Sequence, residues 1–142
     1  MTCVVVSIVY KYLLNIGFFS MSDLKILSKS KFVPELSDIE KSIFLFSYKI
    51  KIINNGNEQV QLMSRHWNIE DSSGITKKVD GQGVVGEQPI INSGSFFEYR
   101  SFCPLNTTFG YMEGFYTLKE KGGDLFKVSI PKFGLIPPNY IN

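Results

Sequence analysis

Apolar and polar side chains alternate one by one along several short stretches of the chain. In the clearest, Phe44, Phe46, Tyr48, Ile50 and Ile52 fall on one side, with Leu45, Ser47, Lys49 and Lys51 on the other. A period of two belongs to a strand with one buried face, so the first set predicts a core face and the lysines a wet one. Phe126, Val128 and Ile130 alternate in the same way, and Pro131 predicts the end of that strand because proline has no N–H for the ladder. Phe109, Tyr111 and Phe115 interleave with Met112, Tyr116 and Leu118, which predicts a strand apolar on both faces. Gly110 and Gly114 inside it predict a bulge or the close approach of another backbone. No stretch carries the i, i+3, i+4, i+7 stripe of an amphipathic helix.

Polar turn signals separate these stretches. Asn54-Asn55-Gly56-Asn57 predicts a hairpin turn with positive φ, and Asp71-Ser72-Ser73-Gly74, Asn92-Ser93-Gly94 and Lys121-Gly122-Gly123-Asp124 predict three more turns. Short strands at intervals of about 8–12 residues predict an all-β fold, an immunoglobulin-like or fibronectin type III-like antiparallel β-sandwich.

At 142 residues the chain suits a single domain, and 12 Phe and 7 Tyr provide a core that excludes disorder as the main state. Fifteen basic against 13 acidic residues leave +2, too weak a field to point to nucleic acid or a membrane surface, so neither is an expected partner. One histidine removes multi-histidine metal sites, and the carboxylates show no EF-hand or paired-acid spacing. No metal ligand and no cofactor site is assigned. Cys3 and Cys103 are far apart with no CxxC pair, which predicts reduced thiols in a cytoplasmic protein. Cys103, next to Pro104, is expected to pack as a small apolar side chain.

Val4 to Phe19 form an apolar run broken by Lys11 and Asn15. It is short for a membrane span and lacks the basic start and small-residue cleavage site of a secretory signal. Met21-Ser22-Asp23-Leu24-Lys25 reads as an ordinary polar start. The expectation is that residues 1–20 are an extension, non-native or disordered, ahead of a domain over 21–142. A weak membrane anchor is the competing reading.

Two clusters concentrate chemistry. Gly81-Gln82-Gly83-Val84-Val85-Gly86 matches GxGxxG, but Glu87-Gln88-Pro89 and the β-branched Ile90-Ile91 leave no room for the helix on which dinucleotide folds seat a pyrophosphate. A kinase-type loop would need a partner lysine and catalytic-loop motifs that are missing. The glycines then mark either a loop that needs positive φ or a nest of N–H groups for an anion. In Arg65-His66-Trp67, a strand would put Arg65 and Trp67 on one face and His66 on the other. One reading is structural, with Trp67 in the core and Arg65 or His66 bonding a loop carbonyl. In the other, Arg65 binds an anion. No serine or carboxylate is placed beside His66 by sequence, so no catalytic residue is assigned. The candidate phosphate or anion site is therefore Arg65, His66, Gly81, Gly83, Gly86, Glu87 and Gln88. The many aromatics also allow docking of a partner, or homodimerisation, through a sheet face or edge.

These residues, in this order, resemble the bacterial ApaG family. The match runs through Arg65-His66-Trp67, the block Gly81 to Pro89, Phe97 and Tyr99, then Gly110, Met112, Gly114 and Tyr116, ending with Ile130-Pro131-Lys132-Phe133 and Asn142. It covers nearly the whole chain from about residue 22, and residues 1–20 fall outside it. The resemblance implies a fibronectin type III-like sandwich and an association with cobalt resistance and magnesium efflux. It also implies a gene neighbourhood shared with diadenosine tetraphosphate hydrolysis and, in eukaryotes, use as an interaction module. It brings no established catalytic residue. The leading reading is a non-enzymatic binding module for a protein partner or a phosphorylated small molecule. The alternative is an enzyme or sensor acting on nucleotide or pyrophosphate compounds, with His66 as base and Glu87 as acid or metal ligand.

Overall fold

In a computed structural model that describes residues 23–140, eight strands build two facing antiparallel sheets. β1 (Leu24–Phe32), β2 (Phe44–Asn54) and β6 (Phe96–Leu105) form a three-stranded sheet in the order β1-β2-β6. β3 (Val60–Asp71), β4 (Thr76–Gln82), β7 (Gly110–Glu120) and β8 (Leu125–Leu135) form the other in the order β4-β3-β7-β8. The two-residue β5 (Ile90–Ile91) pairs with the start of β3. This is the expected fibronectin type III-like sandwich. The start at Met21, the character of residues 1–20, and Cys3 lie outside the described residues. Among those residues no helix is long and apolar enough to cross a membrane.

The alternation in β2 sorts as the sequence predicts: Phe46, Tyr48, Ile50 and Ile52 are buried, while Lys49 and Lys51 lie on the outer face. Burying each such side chain stabilises the fold by about 1.5–3 kcal/mol. Trp67 is the centre of the core, with Tyr48, Tyr116 and Phe133 packed edge-on around it at 5.6–6.3 Å between centroids. Cys103 is buried as expected.

Two expectations need correction. Asn54-Asn55-Gly56-Asn57 is not a hairpin turn, because β2 and β3 lie in different sheets, and Gly56 does not take positive φ. The segment crosses the sandwich, and Asn54 organises the crossing. Its fully buried amide donates from Nδ2 to the carbonyls of Glu58 (2.9 Å) and Ile91 (3.0 Å), and its Oδ1 accepts from the Gly56 N–H (2.9 Å). A buried polar side chain satisfied in this way fixes one path for the loop. The second correction concerns Pro131, which does not stop its strand: β8 continues to Leu135. The register slips there, with Met112 opposite Phe133 but Gly114 opposite Ile130, so Pro131 sits in a bulge on the outermost strand of its sheet. A bulge on an edge is where a residue without an N–H costs no ladder bond.

Gly114 meets both sequence expectations, a bulge beside it and a close backbone above it. It pairs with Trp67, and any Cβ at this position would collide with the His66 carbonyl. Deeper in the core, the hydroxyls of Tyr99 and Tyr116 hydrogen-bond across the two sheets. Burial pushes both phenols well above their usual range, reinforced at Tyr116 by its tyrosine neighbour. A raised phenol pKa means that the folded state holds its proton where the unfolded chain loses it. The stability they contribute is therefore complete below about pH 10 and falls as pH rises beyond it, by about 1.4 kcal/mol per pH unit for each tyrosine that ionises only on unfolding. Urea midpoints measured from pH 8 to 11.5 are expected to start falling from about pH 9, where the unfolded chain ionises the Cys103 thiol that burial keeps protonated in the fold, and to fall more steeply above pH 10, and Tyr99→Phe is expected to lessen that steeper drop.

Candidate functional site

β3 and β4 form a hairpin in which Arg65 pairs with Gly81 and His66 with Asp80. Gly81 has no unusual φ. The Arg65 guanidinium lies across it, within 2.6–2.7 Å of where a Cβ would stand, so a side chain here would displace the arginine. From there Arg65 Nη1 donates to the carbonyls of Gln82 (3.1 Å) and Gly83 (2.8 Å). Arg65 therefore does bond loop carbonyls. Both bonds use Nη1 alone, and among the described residues no carboxylate pairs with the guanidinium.

The rest of the glycine block is a tight hairpin of its own. Val84 N–H donates to Glu87 O (2.8 Å) and Glu87 N–H to Val84 O (2.9 Å), enclosing Val85 at φ +45° and Gly86 at φ +80°. Two central residues with positive φ are the mark of a type I′ turn. Gly83, at φ +61°, has no room for a Cβ against the Glu87 carbonyl. Met63 is the extra residue of a bulge in β3, and its carbonyl accepts from the Gly83 N–H (2.8 Å) and from Gln88 Nε2 (2.9 Å). Pro89 O accepts from Leu62 N–H (3.0 Å), and Gln61 Nε2 donates to Gln88 O (3.0 Å). The block thus fills the gap along β3 between β4 and β5. The N–H groups of Gly83, Val84 and Glu87 are engaged by the protein's own carbonyls.

Of the seven predicted site residues, Arg65, Gly81 and Gly83 converge, and Gln88 joins them through Met63. Gly86 and Glu87 lie at the exposed tip of the small hairpin. His66 stands apart: its ring stacks on Phe115 (centroids 4.8 Å) and its Nδ1 contacts the Asp80 carboxylate, not Glu87. Asp80 was missed by sequence reasoning, yet counting outward from the turn centred on Ser73 places it opposite His66.

On the other face of this hairpin, a groove of about 430 Å³ opens between β4 and β6. Arg65 and Lys77 supply its positive charge, Trp67, Val79 and Met112 its apolar lining, and Tyr48 a hydroxyl. Trp67 is only 2% exposed, and its Nε1 has no hydrogen-bond partner among the described residues. A buried donor without an acceptor costs about 1–3 kcal/mol. Burial raises the Tyr48 phenol, opposed by Ser101 and Arg65, so it too is a neutral donor at physiological pH. Cys103 also lines the groove, and burial pushes its thiol up to about 11, leaving little of the thiolate that a nucleophile needs. Among the described residues no three His, Cys, Asp or Glu side chains converge to hold a metal ion.

Comparison with known proteins places these features in a family context. The ApaG domain family matches residues 34–120. Protein ApaG of Methylobacterium radiotolerans is 48% identical over 111 residues, spanning 78% of this chain and 85% of that one. Protein ApaG of Beijerinckia indica is 43% identical over 116 residues, 82% of this chain and 89% of that one. Among solved structures, the putative ApaA protein of Bordetella pertussis superposes with a TM-score of 0.79 at 40% identity, over 82% of this chain and 94% of that one.

Val85 yields a direct test of the loop geometry. A β-branched residue at positive φ is strained, whereas Asn accepts the first central position of a type I′ turn. Val85 is exposed and gives up little packing. Val85→Asn is expected to raise stability by about 1 kcal/mol, seen as a higher urea midpoint at an unchanged m-value.

Proposed function

Because this chain belongs to the ApaG domain family, we propose that it is a non-enzymatic binding module whose groove between β4 and β6 receives an anionic group from a protein partner in the cytoplasm. The observation that carries this reading is an arginine without a carboxylate partner among the described residues, set in an apolar-walled groove. An acidic side chain or a C-terminal carboxylate would pair with Arg65, whose charge is already held in place by Gln82 and Gly83. Two edge strands, β4 and β6, flank the groove and can extend pairing to a bound segment. A phosphorylated small molecule is the second occupant the same donors would accept. The engaged amides of the Gly81–Pro89 block weigh against phosphate binding by the loop itself. The associations with cobalt resistance and magnesium efflux then reach this protein indirectly, through whatever the groove holds.

An enzymatic reading would rest on His66 and Asp80, whose contact resembles that of a base with its orienting carboxylate. That pair faces away from the groove, stacked on Phe115.

Trp67 is the chain's single tryptophan, so its indole N–H gives one unambiguous NMR signal. Pyrophosphate, ATP, diadenosine tetraphosphate, Mg²⁺ and short Asp/Glu-containing peptides would be added in turn to ¹⁵N-labelled protein. A saturable shift of that signal with acidic peptides, lost in Arg65→Gln, is the expected outcome. A shift with the phosphate compounds alone would make the ligand a small molecule. No movement with any of them would remove the groove as the site.

A further inference from the structure

The charge of this protein is divided between its surfaces. On the outer face of the three-stranded sheet stand Lys25, Lys29 and Lys31 from β1, Lys49 and Lys51 from β2, and Arg100 from β6. Among the described residues, six of 14 basic residues share this face with Glu98, one of 13 acidic residues, which leaves eight against twelve elsewhere. The small net charge thus conceals a basic face and an acidic remainder.

The arrangement is more specific than an excess of lysines. Lys29 pairs in register with Lys49, and Lys49 with Arg100, so three cations stand in one row across three strands. Like charges directly opposite on a sheet destabilise it. Glu98 reaches only Lys49, at 3.6 Å. Lys29, Lys31, Lys49 and Arg100, with Ser47, line a shallow depression of about 250 Å³ on this face. Along β6 the row is flanked by Phe96 and Phe102, 55% and 57% exposed. Lys51 Nζ lies 4.1 Å from the Phe96 ring centre.

We infer that this face binds the phosphate backbone of a single-stranded nucleic acid, with Lys29, Lys31, Lys49 and Arg100 on phosphates and Phe102 and Phe96 as stacking platforms for bases. Cations interleaved with exposed aromatics are how sequence-tolerant single-strand binders work, because every base has a π-face to stack. A duplex, with its bases already stacked, has no use for the two phenylalanines. A membrane fits less well. Six residues at about 3.3 Å each put Phe96 and Phe102 about 20 Å apart, with Glu98 and Arg100 between them, whereas insertion into a bilayer needs apolar side chains gathered together.

The test is fluorescence anisotropy of a labelled U₁₂ oligonucleotide titrated with the full chain at 50, 100 and 200 mM salt. Saturable binding that weakens with salt is expected, with a log–log slope of about −2 to −3 for three to four phosphates. Lys29→Gln combined with Arg100→Gln spares the Lys49–Glu98 pair. It is expected to weaken binding at least tenfold, to flatten the slope by about 1.4, and to leave the thermal melt unchanged or raised at low salt, since repulsion is relieved. Phe102→Ala is expected to weaken U₁₂ binding fivefold or more, with inorganic polyphosphate unaffected. Absence of U₁₂ binding at 50 mM salt would overturn the inference, as would polyphosphate competing as well as U₁₂. Binding to phosphatidylserine vesicles without binding to U₁₂ would also overturn it and make the face a membrane surface.

Discussion

The close approach of two backbones at Gly114 sets the terms for most of this structure. β3 and β7 are central strands of the larger, five-stranded sheet, and at this point the His66 carbonyl occupies the space that a side chain on β7 would need. With that space ceded, Trp67 on β3 turns its whole indole into the sandwich, where Tyr48, Tyr116 and Phe133 close around it. The same stretch of β3, by the alternation of a strand, turns Arg65 toward the groove and His66 toward the opposite face. The interior has no slack to absorb a shift there, because protein cores are packed as densely as organic crystals.

The glycine block shows how one motif can satisfy unrelated demands. Gly83 and Gly86 answer a conformational need, positive φ, while Gly81 answers a spatial one, the width of a guanidinium. GxGxxG looks alike from the sequence in either case. What separates this block from a phosphate cradle is what lies opposite. The Met63 carbonyl on β3 takes the Gly83 N–H, a donor that a dinucleotide fold would leave free for pyrophosphate.

The strand set and the sandwich were legible because each strand has a buried and a wet face, and alternation of that kind is local. The role of Asn54 was not, since it depends on Ile91 lying 37 residues away, and a string of Asn and Gly looks like a hairpin whichever sheet the chain enters next. Pro131 misled for a related reason: its penalty in a strand vanishes on an edge and in a bulge, and neither is visible before the sheet order is known. Within the candidate site, Arg65 and the glycines could be read in advance, and the free indole N–H could not. Whether a buried donor finds a partner is decided by the tertiary packing around it.

Net charge was the least informative quantity, for a physical reason. The field felt by an approaching polyanion is set within about a Debye length, roughly 8 Å at physiological salt, so charges on the far side of a sandwich scarcely count. Lys29, Lys49 and Arg100 lie in one cross-strand row, while much of the acidic complement lies in turns and on the other sheet. An edge strand gains from one lysine on its outer face, which discourages pairing with stray strands. That explains β1 but not Lys49, which sits on the central strand of its sheet, where no edge needs protection. A cation held between two others at the centre of a sheet lowers stability. The Glu98 contact, at 3.6 Å and about one-third exposed, offsets little of that cost.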